Sequence, residues 1–525
     1  MTASIFNDVI GPVMRGPSSS HTAASHRIGD VIRQICSPFD GKVTVEFDRG
    51  GSLATTYEGQ GSSMGLVCGL IGVSMLNEDM VKYKELARQH GLNIEFLITS
   101  YKAIHPNTYR ITVIKKNGET FRFTALSTGG GVFDIIHFNG FEVSMRGEYY
   151  ETLIFIDSKK ILNPVEIFDD LKSIAPCYKT ELIRNESGVF LINLKSGEPV
   201  AEKISEIPGF RGNQIRIFQI NPVMPIQGAS GTPPFSTAEE MLAMADEKGL
   251  DLAELAVIYE STLAGVAPNK VMSLMNEIVL IIKRSISEGL KVKEYKDRIL
   301  GSQAHLILKA EKEKKITGAS LNRVIAYVTA IMESKSSMEI IVAAPTAGSA
   351  GVLGGAIFGV SEGYIDDEDA IVKAFLAAGM IGVFIADKYT FAAEVGGCQV
   401  ECGAASCMAA AALVQLMGGT ARQAVAAASM ALQNMLGLVC DPVADRVEVP
   451  CLGKNISAAS NAWCSANMSI AGFDPVIPLD QVIDTMKSVG DSLPCTLRCT
   501  GLGGLAITPA AGRIHEELLK FTKES

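Results

Sequence analysis

The sequence has little aromatic surface and no clustered positive charge. It contains one Trp among 525 residues, aromatic residues make up 6% of the chain, and the formal net charge is −10. Because binding to a phosphate backbone needs clustered Lys and Arg, this composition argues against a nucleic-acid partner. The shortage of Trp beside 50 glycines favours close helix packing and many turns over an aromatic-rich binding surface.

Two further absences concern export and the membrane. The first residues, MTASIFNDVIGPVMRG, lack a basic start followed by a long apolar run, so we expect no secretory signal and a cytoplasmic protein. Its 11 Cys residues then indicate core thiols, nucleophiles or metal ligands rather than a disulfide framework. Residues 340–361 and 402–421 are uncharged and long enough to span a membrane, but they lack flanking aromatic or basic belts, so we expect them inside a soluble core.

The composition and length predict a multidomain α+β protein. Hydrophobic residues at 47% and charged residues at 20% exclude a largely disordered chain, and the length suggests roughly three domains at ~150 residues each. We predict an α/β domain at 1–148, a small domain at 149–223, a linker at 224–237 and an all-α domain at 238–525. The linker, MPIQGASGTPPFST, is uncharged and rich in Pro, Gly and Ser.

Hydrophobic periodicity assigns the elements within these domains. Alternation predicts strands at KVTVEFD, NIEFLIT, TYRITVIKK and ETFRFTALS, after a helix at HTAASHRIGDVIRQIC. From Tyr149 to Val223 the order strand, helix, strand, strand, helix, strand is that of a ferredoxin-like, ACT-like βαββαβ domain. Such a domain is either a docking or spacer module or a small regulatory domain that senses a ligand. Beyond residue 238, apolar residues recur three or four apart, which predicts helices.

The cysteines divide by their local context. Cys398, Cys440 and Cys451 lie beside Gly or Pro in turn-like segments, where thiols can point into a shared space. Cys402 and Cys407 fall at or inside an Ala-rich helix, where a thiol is usually a small buried hydrophobe. We also interpret the other six cysteines as buried structural thiols: Cys36, Cys68, Cys177, Cys464, Cys495 and Cys499. Because no CxxC pair or short ferredoxin-type run is present, spacing alone favours structural thiols.

Longer motifs follow one another through nearly the whole chain. They are GPSSSHTAASHRIG (16–29), GGSLATTYEGQGS (50–62), VAAPTAGSAGVLGGA (342–356), EVGGCQVECGAASCMAAAALVQLMGGT (394–420), CDPVADRVEVPCLGKN (440–455) and LPCTLRCTGLGGLAITPAAGR (493–513). In this order they resemble the bacterial iron–sulfur-dependent L-serine dehydratases, with the family's β and α parts fused. The resemblance makes 1–148 a β-type, substrate-binding domain and 238–525 the catalytic domain.

The resemblance also implies a cofactor and a reaction. It implies a [4Fe–4S] cluster held by Cys398, Cys440 and Cys451, whose fourth iron has no fixed protein thiolate during catalysis. An iron with an open position is a Lewis acid that can hold the carboxylate and hydroxyl of a serine. A base then removes the α-proton, hydroxide leaves, and the resulting enamine tautomerises and hydrolyses to pyruvate and ammonia. Some family members place a chain-terminal Cys near the open iron, whereas this chain ends FTKES, so its resting fourth ligand stays open.

Polar side chains around the expected cluster follow from the same motifs. In SSSHT, serine hydroxyls and the free N–H groups of a helix start can bind a carboxylate, although plain N-capping also explains them. His21 and His105 are the candidate catalytic residues, since a histidine can bind a substrate or transfer a proton. The candidate substrate-binding residues are Ser18, Ser19, Ser20, Thr22, Asn107, Thr346, Gly348, Lys454 and Asn455.

Three positions depart from the family pattern. Gln60 stands where the family has an active-site His, Cys499 where it has a Glu, and Lys335 where an Asn is common. An amide orients a substrate but takes no proton near neutrality. Either His21 or His105 therefore carries the proton, or the substrate is a different small β-substituted acid, or activity is lost.

Three hypotheses follow for the function. The first is dehydration of L-serine, a small amino-acid substrate, by a homodimer without a nucleic-acid or membrane partner. The second is β-elimination from threonine, cysteine or another small hydroxy or amino acid. The third is a non-catalytic ligand or redox sensor derived from the enzyme.

Overall fold

The computed structural model describes residues 2–157, 167–169, 171, 177–205, 215–227, 231–294, 298–365 and 367–524. These residues form a multidomain, mixed α/β protein. A six-stranded sheet, a four-stranded sheet and a large group of helices follow one another along the chain. The predicted combination of sheets and helices in several domains is confirmed.

The N-terminal sheet is built from alternating strands. The strands of this part are β1 (Val13–Met14), β2 (Lys42–Asp48), β3 (Asn93–Thr99), β4 (Thr108–Ile114), β5 (Thr120–Gly129), β6 (Val132–Phe138) and β7 (Phe141–Met145). Strands β2 to β7 form the sheet in the order β3-β2-β4-β5-β6-β7, and only β2 and β3 run parallel. In β2, Val43, Val45 and Phe47 are buried and alternate with more exposed residues. The four strands predicted here are confirmed, whereas β6 and β7 were not predicted.

Four helices accompany this sheet. The helices are α1 (Ala24–Cys36), α2 (Leu53–Thr56), α3 (Ser62–Ile71) and α4 (Tyr83–Gln89). Helix α3 packs directly on α1, and Gly65 permits this approach because a Cβ there would lie 2.1 Å from the carbonyl oxygen of Thr22. The chain just before α1, which carries the SSSHT motif, is thereby fixed against α3.

The second sheet has ferredoxin-like order. Its strands are β8 (Tyr150–Asp157), β9 (Cys177–Arg184), β10 (Val189–Ser196) and β11 (Ile215–Ile220), with α5 (Ala201–Ser205) before the last one. They pair antiparallel in the order β11-β8-β10-β9. The four predicted strands are confirmed. The helix predicted at NPVEIFDDLKSIA lies mostly outside the described residues, and within it 167–169 are helical.

Helices make up most of the remaining chain. They are α6 (Ala238–Lys248), α7 (Leu252–Ala264), α8 (Pro268–Gly289), α9 (Ala304–Lys312), α10 (Ala319–Ser336), α11 (Ala350–Ser361), α12 (Glu368–Lys388), α13 (Ala393–Gly396), α14 (Cys402–Leu416), α15 (Ala421–Gln433), α16 (Cys451–Ile470), α17 (Leu479–Ser492) and α18 (Pro509–Glu524). Helix α14 is central, since it packs against α11, α12, α15 and α16. Every one of its residues except Gln415 is buried, as its small apolar side chains predict.

The apolar helices lie within the protein. Among the described residues, α12 and the run Cys398–Leu416 are long and apolar enough to cross a membrane, but 72% and 89% of their most apolar windows are buried inside the fold. Helices α7 and α8 pass the same test only as a pair bent by 109°. The uncharged run 340–361 is not a single helix: it divides into β12 (Ile341–Val342), a loop and α11.

The N-terminal segment packs into the helical core. Residues Ile5–Val9 form a helical turn against α12, and β1 pairs antiparallel with β12. The carboxylate of Glu260 accepts hydrogen bonds from the Ser4 hydroxyl at 2.5 Å and the Ile5 N–H at 2.8 Å. The prediction that residues beyond 238 are purely α-helical is therefore wrong at β12, whose partner strand comes from the other end of the chain. This pairing places SSSHT opposite APTAGS.

Candidate active site

The three cysteines assigned to a cluster lie on separate segments. Cys398 opens a turn of 3₁₀ helix (Cys398–Val400), Cys440 lies in an extended bridge, and Cys451 begins α16. Gly397 has a φ of 74°, a region that favours glycine, and a Cβ there would lie 2.6 Å from a leucine side chain. The turn that presents Cys398 therefore requires a glycine before it.

The three thiols occupy one buried region. Cys398 is close enough to Cys440 and Cys451 for its charge to raise the pKa of both. Burial is the larger cause at Cys451, whose pKa rises to about 12. Cys398 differs, because a hydrogen bond from Cys402 and the nearby Lys454 ammonium lower its pKa. The convergence places one thiol that favours its thiolate form between two that are protonated in the absence of a metal.

Two additional thiols lie against these three. Cys402 hydrogen-bonds with Cys398, and Cys499 hydrogen-bonds with Cys440, which together with burial raises the pKa of Cys440 well above its usual value. The sequence predicts that Cys402 and Cys499 are ordinary core thiols. They are buried as predicted, but their neighbours are cysteines rather than only hydrocarbon. Five thiols therefore meet here.

The remaining cysteines differ from one another in burial. Cys36, Cys68 and Cys407 are buried, Cys177 is half-buried, and Cys464 and Cys495 are exposed. The prediction of core thiols is wrong for Cys464 and Cys495. Burial raises the pKa of Cys36 and of Cys68 to about 12, so both thiols stay protonated near neutrality.

The geometry does not match a site for one metal ion. Among the described residues, no group of three or more His, Cys, Asp or Glu side chains is arranged to hold a single ion. One ion needs all its donors within about 2.3 Å of one point. A cluster that binds each thiolate through a different iron spreads its donors farther apart.

The SSSHT motif begins a helix and connects two parts of the chain. Ser18 is the N-cap of the turn Ser19–Ala23, and its hydroxyl accepts from the His21 N–H at 3.4 Å. Ser19 accepts from the N–H of Ala347 at 3.1 Å, which ties the motif to the APTAGS loop. Ser20 accepts through its carbonyl from Ser127, and the hydroxyl of Thr22 donates to the carbonyl of Gln60 at 3.1 Å. N-capping is thus part of the motif's role.

The ring of His21 is buried and bonded at both nitrogens. Nε2 lies 2.8 Å from the hydroxyl of Thr56, which itself donates to a backbone carbonyl, so Nε2 carries the proton. Nδ1 lies 3.0 Å from the hydroxyl of Ser18 and 3.5 Å from Oε1 of Glu394. Burial lowers the pKa of His21 to about 3, so the ring is neutral near pH 7. Its one lone pair already faces Ser18 and Glu394.

His105 borders a cavity of about 600 Å³ between the six-stranded sheet and the helices. Its Nδ1 accepts from the N–H of Asn107 at 3.1 Å, so the neutral ring carries its proton on Nε2. Burial lowers the pKa of His105 to about 4. The side chain of Asn107 is fully buried, and neither its amide oxygen nor its nitrogen has a hydrogen-bond partner of normal length. Such a buried amide calls for a polar ligand.

The APTAGS loop contacts the cysteine region through a carboxylate. Thr346 caps the turn Ala347–Ser349 and donates to Oε1 of Glu401 at 2.8 Å. A Cβ at Gly348 would lie 3.0 Å from the same oxygen, so glycine lets the loop approach it. Burial and the charge of Cys398 raise the pKa of Glu401 well above its usual value. The hydrogen bond from Thr346 opposes this rise, because it favours the carboxylate form.

Lys454 and Asn455, which follow Cys451 in the first turn of α16, are paired rather than solvated. The ammonium of Lys454 donates to Asp441 at 2.8 Å and to the carbonyl of Val439 at 2.7 Å. Although burial opposes it, the charges of Cys398 and Asp441 raise the pKa of Lys454. Asn455 donates to the carbonyl of Gly348 at 2.8 Å, and its own amide oxygen is buried without a partner.

One acidic residue of the site was not predicted. Glu394 is buried, and its Oε2 has no hydrogen-bond partner. Burial raises the pKa of this carboxyl. The residue begins the EVGGCQ motif, four positions before Cys398, so a carboxylate one helical turn from an expected ligand was the signal available in the sequence. Its surroundings, His21 and Asn107, come from distant segments that the pattern of residues does not connect.

The departures from the family pattern surround the cysteines. The amide of Gln60 donates to Sγ of Cys499 at 3.6 Å, so two of the three departing residues are in contact. Lys335 is fully buried and donates to the carbonyl of Val447. Burial lowers its pKa, and its neighbours include Cys451 and Glu401. All three changes therefore belong to one region.

Comparisons with known proteins give a consistent result. The family model "Serine dehydratase alpha chain" matches residues 247–506. The L-serine dehydratase alpha chain of Peptoniphilus asaccharolyticus is 38% identical over 288 residues, which cover 54% of this chain and 98% of that protein. A probable L-serine dehydratase beta chain of Bacillus subtilis is 38% identical over 152 residues, covering 29% and 68%. L-serine dehydratase 1 of Escherichia coli is 24% identical over 507 residues, covering 94% and 96%.

Proposed function

Because the chain belongs to the L-serine dehydratase family, we propose that it removes water from L-serine and releases pyruvate and ammonia. The reaction takes place at a [4Fe–4S] cluster held by Cys398, Cys440 and Cys451. One observation carries the proposal: thiols from three distant segments meet in a buried region, where Glu401 lies near both Cys398 and Glu394. The catalytic part is the helical domain at 238–525, and the β-type domain at 1–148 supplies substrate-binding residues.

The side chains present fit such a cluster. Thiolates are the ligands that iron–sulfur clusters take, and the lowered pKa of Cys398 favours that form. Lys454 and Lys335 supply positive charge beside a site that becomes strongly anionic when several thiols ionise. When bound, a cluster with one iron free of thiolate supplies a Lewis acid that makes hydroxide a better leaving group.

The substrate is held by groups that are buried and lack partners. The unpaired amide of Asn107 and the amide oxygen of Asn455 provide one donor and two acceptors for the amino and carboxylate groups of serine. The first N–H groups of the turn at Ser19–Ala23 favour the carboxylate, since a helix start attracts anions. Thr346 and Gly348 shape the opposite wall of the site, and the cavity that His105 borders provides the entrance.

The α-proton passes to Glu394. Both histidines carry their proton on Nε2 and use Nδ1 as an acceptor from a neighbour, so neither offers a free lone pair. Oε2 of Glu394, in contrast, has no partner, and burial raises its pKa toward the range that suits a general base. Loss of the α-proton and departure of hydroxide give an enamine, which tautomerises to an imine and is hydrolysed in water.

The remaining assignments belong to the same proposal. Residues 149–223 form an ACT-like domain, supported by their sheet order, and 224–237 connect it to the helical domain. We assign the protein to the cytoplasm as a homodimer, which size-exclusion chromatography with light scattering tests. A sulfur-containing or methylated substrate is a second candidate, favoured by the contact of Gln60 with Cys499 at a position where the family has a histidine.

The experiment measures iron, sulfide and turnover together. Protein purified without oxygen should be brown, absorb near ~400 nm and release pyruvate from L-serine. Cys440→Ala should lose iron, colour and turnover, whereas Cys407→Ala, which removes a buried thiol remote from the group, should keep all three. A colourless, iron-free wild-type protein would refute the cluster. A loaded protein that acts only on L-threonine or L-cysteine would replace the substrate, and one that acts on none would favour a sensor.

A further inference from the structure

The backbone holds Cys499 beside Cys440. The N–H of Cys499 donates to the carbonyl of Cys440 at 2.9 Å, and the N–H of Cys440 donates to the carbonyl of Leu497 at 2.9 Å. These bonds form a short parallel bridge between the two segments and place the two thiols in hydrogen-bond contact. The proximity therefore results from paired main chains and not from one side-chain rotamer.

Two residues of the β-type domain hold Cys499 from the other side. The amide of Gln60 donates to its Sγ at 3.6 Å, and the hydroxyl of Ser52 donates to its carbonyl at 3.0 Å. Cys499 itself has a φ of 58°, a left-handed conformation that is uncommon for a residue with a side chain. A backbone held in this state by three neighbouring segments indicates that the position of the thiol is functional.

Cys402 is the competing thiol, and its surroundings differ. It is the first residue of α14, in the most buried part of the helical domain. Its Sγ accepts from the amide of Asn455 at 3.6 Å, and the same amide holds two backbone carbonyls. Cys499 lies instead in an irregular segment whose following residues Leu502 and Ile507 are 61% and 64% exposed.

We propose that Cys499 is the resting fourth thiolate ligand of the cluster and that the substrate displaces it. This rests on the proposed function, since it assumes a cluster on Cys398, Cys440 and Cys451. On displacement the iron–sulfur bond to Cys499 breaks, the sulfur keeps the electron pair, and the vacated position passes to the substrate. The free thiolate then accepts the Gln60 N–H, a contact that its sulfur makes in the structure. No electron is transferred.

The first test is spectroscopic and uses the unmodified enzyme. Mössbauer spectra of anaerobic, ⁵⁷Fe-enriched wild-type protein should show all four irons in tetrahedral sulfur coordination, and L-serine should convert one of them to a distinct site. A resting spectrum that already contains one iron with non-sulfur ligands overturns the proposal while leaving the proposed function intact. A protein without any cluster refutes the proposed function itself.

The second test compares three single alanine variants. Cys499→Ala should load a cluster but lose one iron to mild ferricyanide at least about tenfold faster than wild type, because even outer-shell partners change metal affinity 10–100-fold. The loss is followed by the EPR signal of the three-iron cluster that remains. Cys495→Ala, an exposed thiol in the same segment, should keep the wild-type rate, and Cys402→Ala, which removes a contact of Cys398 but no ligand, should change the rate less than Cys499→Ala does. An unchanged rate in Cys499→Ala, or acceleration in Cys402→Ala instead, overturns the assignment.

Discussion

Replacement of Glu260 by Gln should make the attachment of the N-terminal segment less dependent on pH. Glu260 is fully buried in α7 and accepts from the Ser4 hydroxyl and the Ile5 N–H. Burial raises the pKa of this carboxyl from 4.5 to about 7. A glutamine of the same shape keeps both contacts, since its oxygen can accept from Ile5 and its NH₂ can donate to Ser4. The substitution therefore removes the ionisation with little change in packing.

The magnitude follows from the difference in pKa. A carboxyl with a higher pKa in the folded chain binds its proton more tightly there, so its stabilisation is complete below pH 4.5 and is lost as the pH rises through about 7. Each unit of difference between the folded and unfolded pKa corresponds to about 1.36 kcal/mol, so the rise from 4.5 to about 7 means a loss of about 3 kcal/mol in folding stability at high pH. Near pH 5 the wild type and Glu260→Gln should be equally stable. Near pH 8 the variant should be more stable, by several degrees in Tm.

Thermal unfolding and hydrogen exchange measure this difference. Tm of both proteins is recorded from pH 5 to 8 under anaerobic conditions, and amide protection is followed in the segment around Ile5–Val9. Other buried acids such as Glu151 and Asp387, whose pKa values are raised to about 7 and about 6, change equally in both proteins and cancel in the comparison. Parallel pH profiles of the two proteins, or a variant that is less stable at pH 8, would refute the reasoning.

Three further predictions concern the chemistry. Glu394→Gln should lower kcat about 10²–10⁴-fold, the usual contribution of a general base, with iron content unchanged, and a variant that keeps full kcat would exclude this role. Asn107→Ala should raise KM for L-serine by about tenfold or more, since a lost buried hydrogen bond costs about 1–3 kcal/mol. Its iron content should stay normal, and an unchanged KM in steady-state kinetics would contradict the role of Asn107. Gln60→His should leave the cluster in place, and a large gain in kcat/KM with L-serine would indicate that the native substrate is another small amino acid.

Local patterns were sufficient for most of the secondary structure. Alternation in KVTVEFD corresponds to β2, and spacing of three or four in the region of α7 and α8 corresponds to those helices. Both patterns reflect which face of an element is buried, which neighbouring residues encode directly. The same patterns missed β6 and β7, and they missed β12 because it is only two residues long and depends on a partner strand from residues 13–14.

Only part of the candidate site could be predicted from the sequence. The motifs indicated Cys398, Cys440 and Cys451 through resemblance, while their spacing favoured structural thiols. Pattern could not identify Glu394 as a residue without a partner, because its neighbours His21 and Asn107 are hundreds of positions away in the chain. Nor could it show that Gln60 and Cys499, two separate departures, are in contact.

By itself the sequence determined the succession of strands and helices, the family to which the chain belongs and the residue types available for chemistry, because these depend on neighbouring residues and on motifs. Tertiary structure alone decided which thiols meet, which histidine nitrogens are already bonded and which carboxylate oxygen is left without a partner. Contacts of this kind join segments that are hundreds of residues apart, and their hydrogen bonds and burial arise only when the sheets and helices pack together.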